Sequence, residues 1–132
     1  MLGAQESGVG AAKLALQRGL DVFVSDAGAI KRPYREALVA MGARFEEGGH
    51  TAARVLEADE IVKSPGIPDT AALVRAALGQ GIPVISEVEL AHRYCKGRII
   101  AITGSNGKTT TTLLTHHILQ RAGVDAALGG NV

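Results

Sequence analysis

The sequence predicts an α/β protein: a Rossmann-like parallel sheet with helices on both faces, followed by the start of a second α/β unit. Three observations carry this reading. Short β-branched runs alternate with helix-length segments along the whole chain, the pattern of strands joined by crossover helices. Glycine is abundant, at 17 of 132 residues, and several glycines fall where a strand would turn into a helix. Only four aromatics are present (Phe23, Tyr34, Phe45 and Tyr94) although 46% of residues are hydrophobic, so the core must be built from Ala, Val, Leu and Ile. That composition suits a sheet buried under helices.

The elements follow in order. Only Met1 and Leu2 precede the first glycine, where a βαβ unit ordinarily has a strand of about five residues, so a shortened first strand is expected. Val9, Ala12 and Leu16 share one face of a first helix. "DVFVS" (21–25) reads as the next strand. Pro33 stands where a first-turn proline is tolerated, Tyr34, Leu38 and Met41 share one face of the second helix, and Gly42 follows where a left-handed residue is wanted. "EIVKS" (60–64) is a strand, Leu73, Ala76 and Ala77 mark a third helix ended by Gly81, and "PVIS" (83–86) is another strand.

The polar stretch "HRYCKG" (92–97) precedes a fresh strand, "RIIAIT" (98–103). It sets a boundary between a first domain, 1–94, and a second, 95–132. A helix over 109–121 and the beginning of a strand at "DAALG" (125–129) complete the second part. One strand and one helix cannot cover a sheet, so the chain reads as a fragment whose last helix should keep an uncovered apolar face.

Formal net charge is +1 with scattered basic residues, which removes the footprint of a general nucleic-acid binder. Any anion must be held locally. The lone Cys95 permits no internal disulfide and has no metal-binding spacing. No apolar run approaches the roughly 20 residues of a membrane helix, and no export leader is visible. A cytoplasmic location and no membrane partner are the expectation.

A parallel sheet gathers its binding groups in the loops at the carboxyl ends of its strands, and four loops are informative. Gly104-Ser105-Asn106-Gly107-Lys108-Thr109 has the outline of a phosphate loop. There, successive amides face phosphate oxygens, the lysine reaches the outer phosphates and the hydroxyl binds Mg²⁺. Ile102 stands where the longer form of the motif has its first glycine, so the shorter G-x-x-G-K-T is present. The strand expected before it and the helix after it favour a phosphate loop, the start of a P-loop unit, over a plain glycine turn before a threonine-rich helix.

The first loop, "GAQESG" (3–8), resembles a dinucleotide fingerprint but has Gln5 where that fingerprint needs a second glycine. It still predicts a strand-to-helix turn with free amides at Ser7, Gly8 and Val9. Asp26 ends the second strand, where it can take ribose hydroxyls, accept the N3–H of a uracil, or simply shape a turn. In "KSPGIP" (63–68), Pro65 keeps Ser64 extended and Gly66 leaves its amide open to an anion. His116 and His117 lack the HExxH pattern and read as a solvated or packed pair. His50, His92 and Cys95 show no partners in the sequence, and Glu87 and Glu89 read as caps of a linking helix.

Taken together, "GAQESGVGAA", "VSDAG", "VKSPGIP", "ISEVELA", "ITGSNGKTTTT" and "GGNV" in this order resemble the Mur ligase family, specifically its D-glutamate-adding branch. "SPGIP" followed by "SEVELA" distinguishes that branch from its siblings. The resemblance implies a UDP-precursor-binding domain over 1–94 and the opening of the central ATP-binding domain over 95–132. It implies that Ser7 and Gly8 face the UDP group, Asp26 the uracil, Ser64 and Gly66 the pyrophosphate, and Asn131 the precursor. It further implies that Gly104, Ser105, Asn106, Gly107, Lys108, Thr109 and Thr110 hold ATP, with Thr109 on Mg²⁺ and Lys108 and Thr109 catalytic.

The implied reaction in peptidoglycan synthesis has two steps. ATP phosphorylates the terminal carboxylate of UDP-N-acetylmuramoyl-L-alanine, and D-glutamate then displaces phosphate to form an amide. Lys108 and Thr109 would stabilise charge on the transferring phosphoryl group. The family's downstream catalytic groups and its D-glutamate pocket have no counterpart up to Val132, so the chain itself is expected to bind precursor without turnover. Two alternatives stand beside this. An NAD-dependent oxidoreductase would use the first loop and Asp26 but leaves the 104–110 loop without a task. A non-enzymatic nucleotide-binding module would use that loop as a switch.

Overall fold

A computed structural model describes residues 1–130, arranged as two compact units, Met1–Cys95 and Lys96–Val132, of which the last two residues are not described. The first unit runs α1 (Glu6–Gln17), β1 (Phe23–Ser25), α2 (Arg32–Ala40), β2 (Arg44–Glu46), α3 (Ala52–Val55), β3 (Ile61–Lys63), α4 (Ala72–Gly79), β4 (Val84–Ser86) and α5 (Glu87–Tyr94).

β1 pairs in parallel with β2, placing Phe23 opposite Arg44 and Ser25 opposite Glu46. β3 pairs in parallel with β4, placing Ile61 opposite Val84 and Lys63 opposite Ser86. Leu2 joins the halves, bridging Ser25 on one side and Lys63 on the other, both in parallel. Its amide donates to Val62 O (2.8 Å), Ser25 N donates to Met1 O (2.8 Å), and Ser64 N donates to Leu2 O (3.0 Å). The spatial order is therefore β2, β1, Met1–Gly3, β3, β4. The chain leaves the centre first to one side and then to the other, which is the topology of a doubly wound sheet.

Alternation along the strands explains the layers. Val24, with Phe45, Val62 and Ile85, faces a core filled by Val9, Ala11, Ala12 and Ala15 of α1, Leu38 of α2 and Leu90 of α5. Leu2 and Ile61, with Phe23 and Val84, face the opposite core of Val55 from α3 and Val74 and Ala77 from α4. The small alanines let α1 lie close to the sheet. In α4 the buried stripe is Val74 and Ala77, and Ala76 is exposed, a one-residue rotation from the expected face.

Gly42 and Gly81 follow their helices with φ of 70° and 76°, as the sequence suggested. Ser86 caps α5 by accepting from Glu89 N at 3.1 Å. Two elements were not read from the sequence: β2, whose "RFE" has no β-branched residue, and the single turn of α3.

The second unit holds α6 (Lys108–Arg121), one residue longer at its start than the expected helix. The expected strands at 98–103 and 125–129 do not form. A strand exists only where a neighbour completes its ladder. Among the described residues this unit offers none, and Ile99 and Ile100 are more than half exposed. The uncovered apolar face expected for the last helix is present: α6 has no buried residue, and Leu113, Leu114 and Ile118 are exposed. No helix among the described residues is long and apolar enough to cross a membrane.

Candidate functional site

The sheet changes direction beside Leu2, and the loops at the carboxyl ends of Met1–Gly3, β1 and β3 converge there on a cleft of about 510 Å³. Ser7, Asp26, Ser64 and Gly66, which the sequence singled out separately, all line it, and so does His50. Gly8 stands beside it, one residue into α1 from Ser7.

The floor is set by close approaches. Gly3 has φ of 91°, and a side chain there would come within 2.6 Å of Ser64 Oγ. A Cβ on Gly8 would lie 2.1 Å from Gly3 O. These two glycines let α1 start directly on the end of the central strand. Gln5 sits at φ −87° and ψ −170° as the residue before α1, an ordinary extended conformation, so the missing fingerprint glycine imposes no backbone strain.

α1 opens with the amides of Glu6, Ser7 and Gly8 making no hydrogen bond among the described residues, since Gln5 supplies no side-chain cap. The expected free amide at Val9 is not free: it donates to Gln5 O at 2.9 Å, closing the first helical turn. Opposite, Ser64–Ile67 forms a tight turn closed by Ile67 N donating to Ser64 O at 3.0 Å. Lys63 holds this loop, its Nζ donating to Ile67 O at 2.9 Å and pairing with Asp69 at 3.1 Å. The Gly66 amide has no partner among the described residues. Ser64 Oγ is buried without one.

Asp26 is already engaged. Oδ2 accepts from Ala4 N at 2.7 Å and Oδ1 from Gly28 N at 2.9 Å, so the carboxylate ties the first loop to the second and keeps only its remaining lone pairs for a ligand. The Ser7 hydroxyl likewise donates to Glu87 Oε1 at 2.9 Å. Glu87, read from the sequence as a cap, is buried, with Oε2 unpartnered.

His50, which showed no partner in the sequence, belongs to a relay: its Nδ1 lies 2.6 Å from Ser25 Oγ, which donates to Glu46 Oε1 at 2.6 Å. Glu46 also accepts from Thr51 N at 2.8 Å and the Thr51 hydroxyl at 2.6 Å. Burial pushes the Glu46 carboxyl up, but the Ser25 hydroxyl, the two Thr51 bonds and the Arg54 charge together hold it below its ordinary value. Recognising β2 in the sequence would have marked "EGGH" as a fifth loop at the carboxyl edge.

In the second unit, Gly104 (φ 151°) and Gly107 (φ 75°) bend the chain into α6. Lys108 turns back on this loop, its Nζ donating to Gly104 O at 2.5 Å and Ser105 O at 3.3 Å. The amides of Lys108, Thr109 and Thr110 begin the helix, and Thr111 N closes its first turn onto Gly107 O at 2.9 Å. Ser105 and Asn106 lie in the bend. His116 Nε2 lies 3.0 Å from Ala126 O. Among the described residues no group of His, Cys, Asp and Glu is arranged to hold a metal ion. Asn131 lies outside the described residues.

The chain resembles known proteins along its whole length. The family model described as "MurD N-terminal domain" matches residues 8–72. The chain is 55% identical over its full 132 residues to a UDP-N-acetylmuramoylalanine–D-glutamate ligase of Porphyromonas gingivalis, covering 29% of that protein. It is 54% identical to the ligase of the same name from Bacteroides fragilis, covering 30% of it. Among solved structures, the UDP-N-acetylmuramate:L-alanyl-gamma-D-glutamyl-meso-diaminopimelate ligase of Neisseria meningitides matches 98% of this chain and 42% of its own, with TM-score 0.67 and 27% identity. The chain thus spans about 30% of the length of the curated relatives it matches. It belongs to the MurD family, over the stretch corresponding to the amino-terminal part of those relatives.

Proposed function

We propose that the cleft at the end of Met1–Gly3 holds the UDP end of UDP-N-acetylmuramoyl-L-alanine, and that the chain contributes this site to an ATP-dependent ligase adding D-glutamate. The observation that carries the reading is the pair of unpaired amides on residues lining one cleft from two loops, Ser7 at the start of α1 and Gly66 in the turn after β3, with the unpaired amides of Glu6 and Gly8 flanking Ser7. Amides at a helix start suit a diphosphate, and the β1 side, with Asp26 and His50, is left for the uridine.

The loop 104–110 fits a second polyanion. Two glycines with positive φ keep side chains out of the bend, and three amides start α6. The Lys108 ammonium, resting on two carbonyls, is free to exchange them for phosphate oxygens. Gly104, Ser105, Asn106, Gly107, Lys108, Thr109 and Thr110 would hold ATP there, and the Thr109 hydroxyl would hold Mg²⁺. When bound, ATP with Mg²⁺ supplies the phosphoryl group that activates the precursor's carboxylate. Lys108 would neutralise charge on it and the helix amides would fix its orientation. In this reading 1–94 is the precursor-binding domain and 95–132 the beginning of the ATP-binding one.

Two expected results test the proposal. In calorimetric titrations UDP-N-acetylmuramoyl-L-alanine should bind the chain at least about tenfold more tightly than NAD, a difference of ~1.4 kcal/mol. Equal or reversed affinities support an oxidoreductase instead. Incubated with precursor, ATP, Mg²⁺ and D-glutamate, the chain alone should form no amide above background, because α6 has no buried residue to fix its loop against a partner surface. Product at an enzyme-like rate contradicts this.

A further inference from the structure

We propose that His50 is a ligand-orienting residue of the cleft, its Nε2 accepting a hydrogen bond from an N–H or O–H of the uridine half of the ligand. This rests on the UDP reading above and goes beyond it, because nothing in the sequence pattern had given His50 a role.

Ser25 Oγ carries a single hydrogen and stands 2.6 Å from both Glu46 Oε1 and His50 Nδ1. A carboxylate is an acceptor only, and Glu46 is held ionised by the Thr51 and Arg54 contacts as well. The serine hydrogen therefore goes to Glu46, and Ser25 Oγ must accept from the ring. Nδ1 then bears the proton, and the neutral imidazole keeps its lone pair on Nε2. Ser25 is fully buried, in register with Glu46 across the β1–β2 ladder, so the anchor is rigid. The imidazole itself is exposed and lines the cleft, and Nε2 has no partner among the described residues.

Position selects the part of the ligand. His50 and Asp26 border the cleft on the β1–β2 side, while the free amide of Gly66 lies on the β3 side. Both Asp26 oxygens are already accepting backbone amides. His50 Nε2, with no protein partner among the described residues, is therefore a less committed acceptor than either Asp26 oxygen, suited to a uracil N3–H or a ribose hydroxyl and without use for a phosphate oxygen.

The test is calorimetry on the full chain with three probes: uridine monophosphate, UDP and inorganic pyrophosphate. His50→Ala should weaken both uridine ligands about five- to tenfold, the range of one hydrogen bond, and leave pyrophosphate unchanged. Ser25→Ala, which removes the anchor without touching ligand, should reproduce the same selectivity pattern at a smaller size. His50→Gln, which offers an amide oxygen near the Nε2 position, should recover part of the loss. Thermal melts confirm that each variant is folded, and His50, being exposed, should tolerate all of these changes. In the unmodified chain the ¹⁵N resonance of His50 Nε2 should move on adding uridine monophosphate and stay still on adding pyrophosphate. If the unmodified chain binds uridine ligands and His50→Ala binds them equally well, His50 has no such role while the UDP reading stands. If the unmodified chain binds none of them, both are overturned.

Discussion

Replacing Gly8 by alanine is expected to lower the melting temperature of the first unit by roughly 8–16 °C, or to prevent its folding. The new Cβ would sit 2.1 Å from the Gly3 carbonyl oxygen and 3.1 Å from Met1 Cε. The first of these is backbone, fixed by Gly3 N donating to Ser25 O at 2.9 Å, and it cannot swing aside. Relief requires α1 to lift from the sheet, opening the contacts of Val9, Ala11, Ala12 and Ala15. Overpacking of this kind costs about 3 kcal/mol or more, and each kcal/mol shifts a domain of this size by about 4–8 °C. The helix-propensity gain of about 1 kcal/mol for alanine over glycine only partly offsets it. Gly10 is the internal control: it is exposed in the same helix with open space where a Cβ would go, so Gly10→Ala should stabilise by about 0.5–1 kcal/mol. Equal stability of the two variants in urea melts would remove the close approach from the explanation of the fold.

The second large effect is on pH. The Met1 amine donates to Phe23 O at 2.7 Å, and its burial against the sheet lowers its pKa from 8.0 to about 6. The unfolded chain, with its amine near 8, binds more protons than the folded one between these values. The group's contribution is therefore fully present above pH 8 and is lost as pH falls through 6. A two-unit depression corresponds to about 2–3 kcal/mol. Acetylating the amine of the 132-residue chain keeps an N–H for Phe23 and removes the titration, and the cavity of about 520 Å³ beside Met1 has room for the acetyl group. Urea melts at pH 5.5 and 8.5 should show a larger loss of stability on acidification for the free amine than for the acetylated one. The same loss in both would place the dependence on other groups.

The sequence exposes some parts of this molecule and hides others for physical reasons. β3 and β4 are rich in Val and Ile, and β1 carries Phe23 and Val24, because helices cover both their faces, and the left-handed glycines after α2 and α4 mark where those helices stop. β2 is short and carries Arg44 and Glu46, so no hydrophobic run announces it, and missing it concealed the loop that presents His50. The strand expected at 98–103 had the right composition but no partner among the described residues, and composition alone does not make a ladder. Within the site, the glycine loops pointed to Ser7, Ser64 and Gly66, which line one cleft, and to Gly8 next to Ser7. What they left out was satisfaction: the Asp26 bond to Ala4 and the Ser7 bond to Glu87 join residues 22 and 80 positions apart, which local spacing does not encode, while Lys63 holds its own loop through Ile67 O.

In the proposed reading, unpaired amides at two loop ends, rather than any cluster of side-chain charge, grip the precursor's diphosphate. Titrating ¹⁵N-labelled chain with UDP-N-acetylmuramoyl-L-alanine and following backbone amide shifts tests it directly. The largest changes should fall on Glu6, Ser7, Gly8 and Gly66, with Lys108, Thr109 and Thr110 unmoved. Shifts centred on residues 104–110, or none in the first unit at saturating ligand, would contradict it.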